Sequence, residues 1–421
     1  MTLSHFQIEF EKMINRDYFS DKIHPMRKEA FSKFIQNGLP TKKWEDWRFT
    51  NLASITTKEF HLSEVKDSPK GTIDLSPYQI EDVDTIVIYN GHYLESLSST
   101  PPGLKLLSGL EYLSSKKGTF ENSDNSPFDL LNTAFMDSGI AIIVEPNTNI
   151  KKPLRLLFIS SGKNHLMVSP RVHIDVEESS SLFFIEQHVS QNSESYFQNE
   201  SVFISVENNS QLDHIRIQSN SESTTNMANL HVKQQADSQY SFFQFADGCT
   251  LGRLNIYAKL KGEGADCALN GIALSTGNQH LGHHIIIDHK VPNCTSSQNF
   301  KSILQDQSSG VYSGRTIVRK DAQKTNSTQS NKNLLLSKDA LMHSIPQLEI
   351  DADDVKCAHG SSTGALDDEA LFYLRSRGLD ILSAKKLLVH GFVSEMIETI
   401  KHEPTKNSIH SQLQNWLIHY S

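Results

Sequence analysis

The middle of the chain repeats a short polar turn at nearly constant intervals, and this repeat restricts the fold more than any other feature. Four related turns begin at residues 177, 207, 235 and 262, so successive starts lie 30, 28 and 27 residues apart. Between them, short β-type segments follow one another from about residue 141 to residue 345 without long helical patterns. A repeat of this length with two strands predicts one coil of a β-solenoid, which buries its faces by stacking on its neighbours.

The β-type segments are clearest in the first half of this region. They are Ile142–Val144, Leu154–Ile159, Val172–Val176, Leu182–Ile185, Val202–Val206 and Leu212–Ile217. An antiparallel sandwich is the competing interpretation, but its turns normally recur every 8–12 residues or so, and half of the observed period is longer than that. We therefore predict a mainly β fold whose core is a parallel β-helix.

Helical patterns flank this core. We predict an N-terminal helical or mixed region over 1–130, the β-helix over 131–360 and a C-terminal helical domain over 361–421. The predicted helical segments are Phe6–Gln36, Asp367–Arg377, Ser383–Thr399 and Gln412–His419. The third has an apolar face of Leu387, Leu388, Phe392, Met396 and Ile400. Such a short helical tail cannot form a large core, so we expect it to lie on the solenoid, on a partner, or on both.

The charge and composition exclude several classes of protein. The net charge is −9 and no block of Lys and Arg could neutralise a row of phosphates, which argues against nucleic acid as a partner. The first residues do not match a signal peptide, and no apolar run reaches about 18 residues, so we expect a cytoplasmic protein without membrane contact. Four dispersed cysteines do not form a disulfide framework.

The sharpest local feature is Cys357-Ala358-His359-Gly360, which follows a predicted strand over Leu348–Val355. If that strand continues, Cys357 and His359 point to the same side, because side chains two residues apart share a face. Thiolate and imidazole both bind zinc and iron–sulfur clusters, but a tetrahedral site needs about four ligands. Transient binding, ligands from another chain, a Cys–His nucleophile pair and an inert buried cysteine beside a surface histidine all remain open from the spacing alone.

Two further groups of polar residues are interpreted as structural. Glu349, Asp351 and Asp353 alternate with apolar residues, which predicts a solvated strand face rather than a divalent-metal or glycan-cleaving site. Histidines and one acid crowd the segment His280–His289, but in a strand His283 and His289 face one way while His284 and Asp288 face the other.

Two other patterns bear on function. Trp44, Trp47 and Phe49 are predicted to form a small packed core rather than a base-stacking platform. The chain has no phosphate-binding loop and no closely spaced multi-cysteine motif, so ATP hydrolysis would come from a partner and the chain alone would not hold a cluster as a ferredoxin does.

Several stretches together resemble the SufB/SufD family of iron–sulfur cluster assembly proteins. They are Gly314–Val318, Asp321–Thr325, Asn331–Ser337, Pro346–Ile350, Ala352–Gly360 and Leu371–Gly378. Within that family, the length of the chain, the segment Pro40–Thr50 and the Cys357/His359 pair are similar to the SufD branch.

The resemblance implies a non-catalytic scaffold subunit built on a right-handed parallel β-helix. It implies that the chain pairs with SufB through the end of the β-helix, and that the C-terminal helices dock the ATPase SufC. It also implies that His359, with Cys357 as the weaker assignment, helps to build a nascent cluster at the SufB interface. No cofactor is expected to bind tightly to this chain alone. A transient cluster or iron is expected in the complex.

Some points stay open after the resemblance is taken into account. A reduced flavin in the complex and a homodimer of the isolated chain both remain open, and no flavin motif is visible. Two alternatives from other classes also remain. One is a polysaccharide-active β-helix enzyme that uses the acidic row, and the other is a lone metal-binding protein.

Overall fold

A computed structural model of the chain describes residues 3–15, 23–64, 73–114, 126–136, 139–161 and 165–418. A β-solenoid of about eight coils occupies the middle of the chain, and helices lie before and after it. The predicted fold class is therefore confirmed. No helix in the described ranges is long and apolar enough to cross a membrane.

The N-terminal part combines short helices and strands. These are α1 (Ser4–Ile14), α2 (His24–Asn37), α3 (Ala53–Thr56), β1 (His61–Leu62), β2 (Asp84–Tyr89), β3 (His92–Tyr93), β4 (Leu104–Ser108), α4 (Gly109–Ser114) and α5 (Pro127–Phe135). The helical pattern predicted from Phe6 to Gln36 is confirmed by α1 and α2, while residues 16–22 lie outside the described part. Helix α2 ends at Gly38, whose φ of +69° is readily adopted by glycine.

Seventeen further strands build the solenoid. They are β5 (Gly139–Val144), β6 (Leu154–Ser160), β7 (Leu166–Val168), β8 (Arg171–Val176), β9 (Ser181–Ser190), β10 (Tyr196–Val206), β11 (Gln211–Asn220), β12 (Thr224–Gln234), β13 (Gln239–Gly248), β14 (Leu251–Leu260), β15 (Asp266–Ser275), β16 (His280–His289), β17 (Thr295–Leu304), β18 (Ser309–Val318), β19 (Asn326–Leu335), β20 (Leu341–Ile350) and β21 (Lys356–Gly364).

Alternate strands belong to two different sheets. The first sheet runs in the order β20-β18-β16-β14-β12-β10-β8-β5-β4, and the second runs β21-β19-β17-β15-β13-β11-β9-β6-β2-β3. All neighbours in the solenoid pair in parallel, while β4–β5 and β2–β3 are antiparallel pairs at the N-terminal end. The strands β20 and β21 each have one neighbour, so they form the last coil. We call this end of the solenoid the open end.

The recurrent polar turn places one residue of each coil in the left-handed region of backbone space. These residues are Ser179, Asn209, Asp237, Gly264 and Asn293, with φ of 57°, 56°, 53°, 76° and 59°. The first four repeat the intervals of 30, 28 and 27 residues that the sequence pattern shows. Asn, Asp and Gly tolerate this conformation better than other residues, which explains the composition of the turns.

Three apolar clusters hold the fold together. The largest lies between the two sheets and includes Ile174, Ile204 and Leu230. A second packs α1, α2 and α5 on the outer face of the first sheet, where Phe197 and Met227 meet Phe128 and Phe135. The third packs the C-terminal helices on the outer face of the second sheet. Each helical region therefore covers one apolar face that the solenoid would otherwise expose to water.

The C-terminal region contains α6 (Asp368–Ser376), α7 (Ile381–Ile397) and α8 (Glu403–Ile418). The carboxylate of Asp367 caps α6 by accepting from the backbone N–H groups of Glu369 and Ala370. Helix α8 begins nine residues before the predicted start at Gln412, so that prediction was too short. The first residues of α8 are mostly polar, so the helical spacing of its apolar residues is difficult to recognise in the sequence. The buried residues nevertheless recur every four positions, at Thr405, Ile409, Leu413 and Leu417.

The predicted apolar face of α7 was only partly right. Met396 and Ile400 are buried, but Leu387 is 49% exposed, and the face against the solenoid is instead formed by Ala384, Val389, Val393 and Ile397. Apolar residues lie on both the buried and the exposed sides of the helix, so their spacing alone could not decide which side faces the sheet.

Candidate functional site

The open end places Cys357 and His359 on one face of its last strand. In the register of β19 and β21, Cys357 lies opposite Ser327 and His359 lies opposite Gln329. Ser327 and Gln329 are buried and face the interior, so Cys357 and His359 face the same way where the next coil would stack. The prediction that the two side chains share a face is confirmed.

The strand that carries them differs from the prediction, however. The strand expected over Leu348–Val355 ends at Ile350, and a new strand begins at Lys356 after a turn. Both residues therefore belong to the final strand of the second sheet rather than to a continuation of β20. Because β21 pairs only with β19, its other edge has no neighbouring strand within the described ranges.

Cys357 and His359 differ in their surroundings. Cys357 is half-buried and packs beside Val318, Ala322 and Ala352. Burial raises the pKa of its thiol, and the backbone N–H of Ser327 opposes that shift in part. His359 is exposed. One thiol and one imidazole give two ligands for a metal, so the site is half of a tetrahedral set.

The acidic row does not form a site. Glu349 lies on β20, whereas Asp351 and Asp353 lie in the turn after it, so the three carboxylates do not stack along one strand. All three are exposed, and Glu349 approaches Arg315 at 3.4 Å. The three carboxylates are therefore interpreted as structural, but the prediction that they share one face of one strand was wrong.

The histidines of β16 divide between two faces, as predicted. Nε2–H of His283 donates to Oε1 of Gln244 at 2.9 Å inside the solenoid, and His289 bonds to Ser296 at 2.8 Å on the same side. His284 contacts Ser313 on the outer face. Burial lowers the pKa of His283 and His284 to about 3 and that of His289 to about 4, so all three are neutral.

All four cysteines are free thiols, and three of them are fully buried. Of the predicted aromatic core, Trp47 is buried against Phe128 at a ring-centroid distance of 5.1 Å. Trp44 is 38% exposed, and Phe49 stacks on His343 instead. The packed core was therefore confirmed for Trp47 alone.

A buried ionic network inside the solenoid was not predicted. Glu186, His188 and Glu200 are, of the described residues, the one group of three metal-ligand side chains with atoms all within 4.8 Å. The guanidinium of Arg216 lies between the two carboxylates, donating from Nε to Glu186 at 2.8 Å and from Nη2 to Glu200.

The hydrogen bonds of this network favour a proton and a guanidinium over a metal ion. The amide of Gln198 donates to Nδ1 of His188 at 2.8 Å, so the proton of His188 lies on Nε2, which is 2.5 Å from Glu186. Burial raises the pKa of Glu186, but Arg216 and the histidines outweigh it and hold that pKa well below its usual range. The 30-residue separation of Glu186 and Arg216 equals one coil, and this was the signal that could have found the pair.

Comparisons with known proteins agree with this architecture. A family model described as "SUF system FeS cluster assembly, SufBD core domain" matches residues 158–392, and "SufBD protein N-terminal region" matches residues 3–156. The chain is 29% identical over 393 residues to the iron–sulfur cluster assembly protein SufD of Escherichia coli, covering 92% of each chain.

Two further relatives give similar matches. A SufBD family protein of Synechocystis sp. is 29% identical over 387 residues, which is 86% of this chain and 84% of that protein. A chloroplastic protein of Arabidopsis thaliana is 27% identical over 410 residues, which is 93% of this chain and 86% of that protein. The similarity extends through the solenoid and includes β21 with both candidate site residues.

Proposed function

The chain belongs to the SufBD family of the SUF iron–sulfur cluster assembly system, as a SufD-type member, and we propose that it is a non-catalytic scaffold subunit that pairs with SufB and recruits SufC. The observation that carries this proposal is the open end, where two metal ligands, half of a tetrahedral set, lie on a strand with one unpaired edge. Its completion requires a second chain.

The open end has the properties of a docking edge. Strands β20 and β21 are ten and nine residues long, and each presents a row of backbone N–H and C=O groups on its free side. Exposed edges of this length readily pair with another chain. Leu341 and Ile350, at the two ends of β20, are 52% and 40% exposed. A second solenoid, such as SufB, could cover both edges at once.

His359 and Cys357 would supply part of the ligand set of a nascent cluster, with the remaining ligands from SufB. The cluster is the cargo of the complex rather than a resident cofactor of this chain. His359 is exposed and accessible to incoming iron, while Cys357 becomes accessible as the interface loosens. A lone metal-binding protein would need a complete ligand set, and the buried group around Glu186 is already filled by Arg216.

The C-terminal helices offer a separate surface for SufC. None of the residues of α6 is buried, and Phe372 and Tyr373 are 75% and 56% exposed. Neighbouring exposed aromatic residues are common at the centres of protein interfaces. ATP hydrolysis would come from SufC, because the chain has no phosphate-binding loop.

The mechanism that we propose couples these two surfaces. When ATP drives two SufC copies together, the strain reaches the pair of solenoids through the C-terminal helices and opens the SufB interface. His359 and Cys357 then meet iron and sulfide held on SufB. A cytoplasmic location remains a prediction of this proposal, whereas a reduced flavin in the complex and a homodimer of the isolated chain stay open questions.

The test is cluster assembly in the complete complex with a His359→Ala chain. Ser361→Ala is the matched control, because Ser361 lies two residues further along the same face of β21 and is also exposed. We expect His359→Ala to lower the assembly rate about tenfold or more while the complex still forms, and Ser361→Ala to leave it unchanged. An unchanged rate for His359→Ala would contradict the ligand role.

A further inference from the structure

A cavity of about 390 Å³ lies outside the solenoid, between the segment Trp44–Trp47 and the outer face of the first sheet. Its floor is formed by β14, β16 and β18. Cys357 and His359 face the interior from the second sheet, so this cavity is separate from the proposed assembly site. Its volume falls within the range of roughly 300–1,000 Å³ that small-molecule sites occupy.

The register of the three strands fixes the arrangement of the floor. Tyr257, Ile286 and Arg315 are direct partners on β14, β16 and β18. Lys259 lies two residues after Tyr257 and therefore faces the same side. Two strand spacings separate β14 from β18 by about 10 Å, so the long side chains of Lys259 and Arg315 can converge above Ile286 from opposite sides.

Each of these two cations has a nitrogen that no carboxylate of the described residues contacts. Arg315 approaches Glu349 at 3.4 Å and Asp46 at 3.6 Å, and its buried Nε has no hydrogen-bond partner among the described residues. Lys259 is the register partner of Asp288 on β16 but forms no ion pair within the same ranges. Arg319, by contrast, donates two hydrogen bonds to Asp288, at 2.8 and 3.2 Å. The cavity thus offers the ammonium group of Lys259 and the Nε of Arg315 to a further anion, beside the carboxylates of Asp46 and Asp288.

The wall of the cavity offers one open aromatic face. Trp44 is 38% exposed. Trp47 is already covered by Arg253, whose guanidinium carbon lies 3.8 Å from the ring centroid, and Tyr257 stacks on His231 at 5.0 Å. His284 also lines the cavity, and burial lowers its pKa so that its imidazole is neutral. Trp44 is therefore the ring against which a ligand can stack.

We propose that this cavity binds a planar aromatic ring that carries a phosphate group. The phosphate lies above Ile286 between Lys259 and Arg315, and the ring packs against Trp44. A phosphate suits two cations on opposite sides because its oxygens point in several directions, whereas a carboxylate has only two. This function does not involve Cys357 or His359, since neither residue lines the cavity.

The test measures binding of AMP, adenosine and inorganic phosphate to the full-length chain by calorimetry. Lys259→Met removes the charge on one side, and Trp44→Ala removes the ring. Lys233→Met is the matched control, because Lys233 is the register partner of Lys259 one coil away and does not line the cavity. Thermal melts of the three variants verify that each is folded.

We expect AMP to bind more tightly than either adenosine or phosphate. Lys259→Met should weaken AMP about tenfold because a charge-assisted hydrogen bond is lost, and should leave adenosine unchanged. Trp44→Ala should weaken AMP and adenosine but not phosphate, and Lys233→Met should change nothing. The proposal is overturned if AMP binds no more tightly than phosphate, or if neither cavity variant alters AMP binding.

Discussion

Arg216 joins the two carboxylates of the buried ionic network inside the solenoid. It is fully buried and lies between Glu186 and Glu200, which are also buried. We predict that Arg216→Met lowers the free energy of unfolding by about 3–5 kcal/mol, because two carboxylates lose their cation in a medium of low polarity. Chemical denaturation of the purified chain measures this change.

Arg319 provides the matched comparison for Arg216. It also pairs with a carboxylate, that of Asp288, but it is 51% exposed. We expect Arg319→Met to cost no more than about 1 kcal/mol, because water screens an exposed pair. If Arg216→Met and Arg319→Met lowered the free energy of unfolding equally, the buried network would not stabilise the fold in the way described.

His289 makes the stability of the chain depend on pH. Burial lowers its pKa to about 4, against 6.5 for an exposed histidine. As pH falls below 6.5, the unfolded chain gains a proton that the folded chain resists, so the free energy of unfolding decreases by up to about 1.4 kcal/mol per pH unit until pH 4. We predict that the free energy of unfolding of the His289→Asn variant depends less steeply on pH, because the contribution of this imidazole is removed.

Denaturation curves at several values between pH 7 and pH 4.5 measure the effect. His61→Asn is the control, because the side chain of His61 is 63% exposed. The free energy of unfolding of the His61 variant should change with pH at the same slope as that of the unmodified chain. If the His289 variant also shows the slope of the unmodified chain, the buried imidazole of His289 does not cause the loss of stability at low pH.

At the scale of elements, Lys301 fastens α7 to the solenoid. Its ammonium group donates to the carbonyl of Phe392 at 2.6 Å and lies 5.0 Å from the ring of the same residue. Lys301 is only 8% exposed, and burial lowers its pKa. We predict that Lys301→Met destabilises the chain by about 1.5–3 kcal/mol, the usual contribution of a hydrogen bond from a charged group.

Lys332 is the matched control for that substitution. It is the register partner of Lys301 on β19 and is exposed. Lys332→Met should change stability by less than about 0.5 kcal/mol. Hydrogen exchange of the amides of α7 should speed up in the Lys301 variant alone. Equal exchange in both variants would show that this contact does not hold the helix.

The strands also show how far the sequence predicts the elements. All six early strands lie inside observed strands, but the strands extend further, because inward positions here hold polar residues paired with the next coil. Gln218, which donates to Sγ of Cys249 at 3.2 Å, is one example just beyond a predicted strand, and it interrupts the apolar pattern on which the prediction relies. The regular turns were predictable because backbone conformation restricts their composition.

The candidate site was predictable in part for a related reason. The motif around Cys357 and His359 is local, so the sequence alone could place both residues on one face. The end of β20 at Ile350 was not predictable, because the alternation of Ile350, Ala352 and acidic residues continues through the turn. The network of Arg216 depends on contacts between coils, which a pattern within one strand does not show.

At the scale of the whole molecule, the two proposed docking surfaces lie on different parts of the chain. The open end belongs to β20 and β21, and the aromatic surface belongs to α6. Helices α7 and α8 cannot simply be removed, because Val389, Val393, Ile409 and Leu413 cover the second sheet. A test of the SufC dock must therefore change α6 and leave the later helices intact.

Co-purification with SufB and SufC, comparing the unmodified chain with a Phe372→Glu/Tyr373→Glu variant, tests the central claim most directly. Both residues are exposed, so the substitutions should leave the fold intact. The unmodified chain is predicted to retain both partners. The variant should lose SufC and keep SufB, because the open end is untouched. Retention of SufC by the variant, or failure of the unmodified chain to bind SufB, would contradict the scaffold proposed here.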